Sequence, residues 1–243
     1  MSGKPRTNSG MRSVLFGIVL LALLAAGLLV AYRLITGRSL GLKEAARVAF
    51  RTGIGVLRRG DVQASTHGEY TNVFFLHHSV GNNLINEGNL REQFQQAGID
   101  FWDQGYRYDG MRGPNGQDTG FWYPVPGDNT DPDGLARVFA QQPRNLPVNA
   151  LSGLLQHEVI LFKSCYPNSS ISGPEQLATL RQVYLGMRTT IEQHPDKLFI
   201  LLTTPPLNPA ETQLEQARNA RALSEWMVSD DFVGGLENLY VFD

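Results

Sequence analysis

Residues 73–84 read VFFLHHSVGNNL: four apolar residues run into two histidines, a serine, a valine and a glycine. A buried strand that ends in a turn of small residues can lift one hydroxyl clear of a sheet, and a serine so placed becomes a nucleophile when a base takes its proton. Ser79 is therefore the first candidate for chemistry. It has a plainer alternative as a helix N-cap, its oxygen accepting a backbone N–H of the first turn. His77 and His78 stand beside it, but consecutive strand residues point to opposite faces, so at most one of them leans toward the hydroxyl. His78 is kept as a candidate base within the chain, while His67, His157 and His194 fall in linker or helix-end positions and are read as structural.

The elements that must position Ser79 begin at residue 72, where short apolar runs start to alternate with longer amphipathic segments. That is the pattern of a parallel α/β sheet. Strands are expected at 73–77, 99–102, 159–163, 198–203 and 239–242, with helices over 173–194 and 209–228. The first of these helices carries Leu177, Leu180, Val183, Tyr184 and Met187 at helical spacing,. Ligands of open parallel sheets sit beyond the carboxyl ends of the strands. To that end the sequence delivers His77, His78 and Ser79, then KSCYPNSS (163–170), TTPPLNP (203–209) and Asp243.

Residues 105–134 are dense in Gly, Pro, Asp and Asn, and too long for a plain connection, which points to a functional or binding loop,. Trp102, Tyr106, Tyr108, Trp122 and Tyr123 around it are placed either to stack on sugar rings or to anchor the core,. NTDPDG (129–134) opens like a calcium loop, but Ala140 stands where a bidentate Glu belongs,. Asp131 and Asp133 are accordingly read as helix caps, and no metal or cofactor is expected.

Ahead of this body, residues 14–32 (VLFGIVLLALLAAGLLVAY) carry no charge and match the length of a helix that crosses about 30 Å of hydrocarbon,. No small-residue cleavage site follows at once, so an uncleaved single-pass anchor is expected. Lys4, Arg6 and Arg12 precede it and Arg33, Arg38, Lys43 and Arg47 follow, which leaves the positive-inside rule nearly balanced; an extracytoplasmic body is favoured,. Residues 33–71 are read as a basic juxtamembrane helix and linker, with an apolar stripe of Leu42, Ala45, Ala46, Ala49, Phe50, Ile54 and Leu57,. Over the whole chain of 243 residues the net charge is -2, which gives no bulk reason to expect a nucleic-acid partner,. Cys165 is the only cysteine, so no intramolecular disulfide can form,.

From about residue 73 onward the chain resembles the SGNH hydrolase superfamily, in a divergent branch rather than the GDSL form. HHSVG stands where the family carries its nucleophilic serine, HEVILFKSCYPNSS where it carries the strand and loop with the oxyanion-hole asparagine, and LFILLTTPPL and NLYVFD look like the next two strands. The resemblance implies a three-layer α/β/α sandwich over 72–243, with a mostly parallel, flavodoxin-like five-stranded sheet. It implies Ser79 as nucleophile and as one oxyanion donor through its backbone N–H, a second N–H from Gly105 or Gly110, and the side-chain amide of Asn168, with Ser164 as the rival of Asn168,. No Gly-Asp precedes Ser79, and YPNS departs from the family's Gly-x-Asn-Asp. The family's base is a histidine in an Asp-x-x-His motif after the fifth strand, and the sequence stops at Asp243, so an incomplete domain with its base beyond residue 243 is expected. The activity implied is a membrane-anchored serine esterase acting on O-acyl groups of an envelope carbohydrate. The alternatives are a catalytically inactive SGNH-like domain that binds polysaccharide or a membrane partner, and an O-acyltransferase on the same scaffold.

Overall fold

The computed structural model describes residues 41–105, 110–125, 132–165 and 169–243, together with 26, 27, 30 and 33. The chain divides into two compact units, Met1–Phe50 and Arg51–Asp243. In the first, Ala26, Gly27, Val30 and Arg33 are helical and exposed. The expected membrane span at 14–32 lies almost wholly outside the described residues, and among those described no helix is long and apolar enough to cross a membrane.

Helix α1 (Leu42–Leu57) forms where the sequence pattern places it, but of the expected stripe in its second half only Ile54 packs on the core. Leu57 is 85% exposed and, in the first unit, Phe50 is 70% exposed. Gly55 instead lets the helix approach the core: a Cβ there would stand 3.1 Å from the ring of Phe121. The short helix α2 (Arg59–Gln63) follows, and its Val62 is fully buried in the core. The compact unit that carries the sheet spans Arg51–Asp243.

Six strands, not five, make one sheet: β1 (Asn72–Leu76), β2 (Asp100–Gln104), β3 (Met111–Arg112), β4 (Val159–Lys163), β5 (Leu198–Leu202) and β6 (Leu239–Phe242), in the order β3-β2-β1-β4-β5-β6. All neighbours are parallel except β3, which pairs antiparallel with β2 through Asp103↔Arg112 and Gln104↔Met111. The central strands β1 (NVFFL) and β4 (VILFK) are buried along their whole length, as expected for strands covered on both faces,. Strand β5 buries Phe199 and Leu201 and leaves Leu198, Ile200 and Leu202 half-buried.

The remaining helices are α3 (Ser79–Asn86), α4 (Leu90–Gln96), α5 (Pro132–Phe139), α6 (Ala150–Leu154), α7 (Pro174–Glu192), α8 (Leu214–Met227) and α9 (Asp230–Val233). On one face of the sheet, Phe74, Ile160, Phe162 and Phe199 pack with residues of α5 to α9 such as Val138, Tyr184, Met187 and Leu223. On the other face, Phe75, Phe101 and Leu161 pack with Ile85, Leu90 and Phe94 of α3 and α4. Helix α7 starts at Pro174, whose missing N–H is no loss at the first helical position,. Helix α8 starts later than expected because residues Pro209–Glu211 form a 3₁₀ turn, closed by the Asn208 side chain accepting the Ala210 N–H at 3.0 Å.

The amino end of the sheet is closed by buried polar groups. The Tyr123 hydroxyl lies 2.9 Å from His157 Nε2, His157 Nδ1 lies 2.6 Å from Asn72 Oδ1, and Asn72 Nδ2 donates to Val62 O at 2.9 Å and Thr66 Oγ1 at 3.0 Å. Because the Asn72 oxygen accepts, His157 carries its proton on Nδ1, and its Nε2 accepts the hydrogen bond donated by the Tyr123 hydroxyl. Glu158 completes this end by accepting the backbone N–H groups of Thr71 and Asn72, each at 3.0 Å, and that of Gly68. Burial holds the His157 pKa well below its ordinary value of 6.5, with the Lys197 charge adding to the effect. Above about pH 6.5 the histidine is neutral in both folded and unfolded chains. Below it, the unfolded chain takes a proton that the folded one refuses, so stability falls with falling pH. We therefore expect urea unfolding of wild type to lose more stability between about pH 6.5 and pH 5 than His157→Gln does. Tyr123→Phe, which orphans His157 Nε2, is expected to cost about 1–3 kcal/mol at neutral pH in the same measurement.

Candidate active site

Strand β1 ends at Leu76, and the chain crosses to α3 through His77 and His78. His78, with extended φ -139° and ψ -166°, occupies the N-cap position, so Ser79 is the first helical residue rather than the cap. Its side chain is exposed, and its Oγ lies 4.0 Å from the Sγ of buried Cys165, just past the end of β4. The turn is tight because α3 packs directly on His77. A Cβ added at Gly81 would stand 2.3 Å from the Cβ of His77, so only glycine permits this approach.

His77 is fixed from its other side. Its Nε2 lies 3.0 Å from Asp103 Oδ2, and the second oxygen of Asp103 accepts from Arg91 Nη2. A carboxylate can only accept, so Nε2 carries the proton. Arg91 also donates to Phe101 O at 2.8 Å and Gly113 O at 2.7 Å, and its guanidinium lies over the Phe101 ring. One buried carboxylate thereby ties the ends of β1 and β2 to α4.

Beyond the carboxyl ends of β4, β5 and β6 opens a cavity of about 520 Å³, lined among others by Val80, Leu84, Lys163, Leu202, Thr203 and Phe242. Val80 and Leu84 belong to the helix that Ser79 opens, so the serine stands next to this cavity. At its wall, Asp243 accepts the Thr203 hydroxyl at 2.9 Å and Arg221 Nη1 at 2.7 Å. These bonds, that from Thr203 first, hold the Asp243 carboxyl below its ordinary pKa.

The other expected site residues divide. Gly105 directly follows Gln104, whose carbonyl accepts the His77 N–H at 3.1 Å, so it lies beside the end of β1. Gly110, at φ +78°, instead faces Arg51 and Asp118. Ser164 points its hydroxyl away from Ser79 to the Tyr184 hydroxyl, 3.0 Å away under α7; there burial pushes the tyrosine up to about 12. His78 is fully buried. Asn168, Tyr106, Tyr108 and Asp131 lie outside the described residues, while Asp133 stands in the first turn of α5. Trp102, Trp122 and Tyr123 are buried in the body, which removes them as sugar-stacking surfaces. No group of metal-ligating side chains occurs among the described residues.

Asp103 and Arg91 are site residues that no motif pointed to, and Lys163, delivered to this end with KSCYPNSS, was not among the candidates for chemistry. The lysine carried a readable signal, a charge closing the apolar strand VILFK; the other two become partners only through tertiary packing. Asp103→Ala, which leaves Arg91 without its buried counter-ion, is expected to lower unfolding free energy by about 3–5 kcal/mol in denaturant titration. No family model matches the chain, and neither any curated protein nor any solved structure does.

Proposed function

We propose that the chain is an SGNH-type serine esterase with Ser79 as its nucleophile. The observation that carries this reading is the placement of an exposed serine hydroxyl at the start of α3, where side chains from the carboxyl ends of β1 and β4 meet beside a cavity. Counted in chain order, the five parallel strands lie 2-1-3-4-5, the flavodoxin-like order,. The crossover after β1 packs α3 and α4 on one face, and the crossover after β4 packs α7 on the other, so the gap between β1 and β4 is the switch point where ligands of such sheets bind,.

In this reading Ser79 Oγ attacks the carbonyl carbon of an ester and its proton passes to a base. The alcohol leaves, and water then releases the acid from the acyl-serine. First-turn N–H groups of a helix have no partner within the helix, so those of α3 favour the oxyanion, with Gly105 and Asn168 as further donors. His77 is committed to Asp103, which leaves His78 as the neighbouring histidine for the base role,. With the anchor expected at 14–32, O-acyl groups of an envelope carbohydrate are the substrate class proposed, with the body on the extracytoplasmic side. Trp102, Trp122 and Tyr123 are buried, so carbohydrate binding in the inactive alternative would not use these three rings. A fluorophosphonate probe should label Ser79, read by peptide mass. Ser79→Ala should lower p-nitrophenyl acetate turnover at least roughly a thousandfold; unchanged turnover in that variant overturns the reading.

A further inference from the structure

The cavity beside α3 holds a charge that the serine chemistry does not use. Lys163 closes β4, and although its side chain ends in an ammonium it is only 2% exposed. By strand alternation it lies on the face of Val159 and Leu161, the face covered by α3,. The amine donates to Ser164 O at 2.8 Å, which engages one of its three protons,. No carboxylate among the described residues pairs with it, and burial lowers its pKa despite the neighbouring Cys165. The other charges on the wall, Arg221 and Asp243, bond to each other at 2.7 Å, so they leave the lysine as the excess charge of the lining.

A buried cation without a counter-ion is unfavourable, and an anion able to enter the cavity supplies the missing partner. The anion need not be strongly hydrated throughout, since Val80, Leu84, Leu202 and Phe242 give the same cavity an apolar wall. We propose that the cavity binds a short aliphatic carboxylate, with Lys163 as counter-ion to its head and the apolar wall against its chain. This site goes beyond the esterase reading, because binding at Lys163 is an equilibrium in which Ser79 takes no part.

Isothermal titration of the full chain with hexanoate and with uncharged hexanamide of the same shape tests it. Hexanoate should bind saturably and at least roughly tenfold more tightly than hexanamide, the difference a charge-assisted hydrogen bond makes. Lys163→Met, which puts an apolar side chain of similar reach into the same buried position, should abolish that preference while a thermal melt shows a folded chain. Absence of hexanoate binding, equal affinity for hexanamide in wild type, or a preference that survives in folded Lys163→Met overturns the proposal. The wild-type comparison decides the matter even if Lys163→Met fails to fold.

Discussion

The carboxylate of Asp103 sits in the interior with each oxygen held by a different partner, His77 on β1's end and Arg91 on α4. A charge in that position has no water to fall back on, so its partners must be held in place, and both belong to other elements. The consequence runs outward. His77 is fixed in one orientation, the backbone turns immediately after it, and Gly81 lets α3 settle against its ring. The place where α3 begins, and with it Ser79, follows from these contacts, two steps removed from the carboxylate.

The two ends of the sheet treat polarity in opposite ways. At the amino end, Tyr123, His157, Asn72 and Glu158 meet one another's hydrogen-bonding needs within the protein, and burial keeps the histidine neutral. At the carboxyl end, an exposed serine and a buried lysine adjoin open space. Satisfied polar groups rigidify a fold; groups that face a cavity are available to a ligand. That contrast, more than any single side chain, separates scaffold from site in this molecule.

Strands at 159–163 and 239–242 were legible to the residue, because each is a short apolar run bounded by polar or turn residues. Strand β1 begins one residue earlier than the apolar run, since Asn72 is buried through its side-chain bonds rather than through hydrophobicity. Strand β3 is not legible in the sequence, because two residues inside a glycine-rich loop carry no periodicity. The stripe expected on α1 holds only in part for a related reason: counting apolar residues credits exposed Phe50 and Leu57 along with Ile54, which does pack on the core, and overlooks the close approach at Gly55, which has no side chain to count. At the site, the position of Ser79 was readable from the strand that precedes it. The pairing of Ser164 with Tyr184, and of Asp103 with Arg91, joins elements whose adjacency exists only once the sheet is assembled.

The chain of bonds from Tyr123 through His157 to Asn72 has a direction. Each member donates to the next: hydroxyl to Nε2, Nδ1–H to amide oxygen, amide N–H to the carbonyl of Val62. An amide at position 72 is the only common side-chain group that can accept from the histidine and donate onward to Val62 and Thr66 in one plane. A change to aspartate silences the donor half, and a change to lysine silences the acceptor half. Each of the three side chains is therefore constrained by the one before it: a substitution at one position leaves its neighbour's donor or acceptor unanswered unless that neighbour changes too.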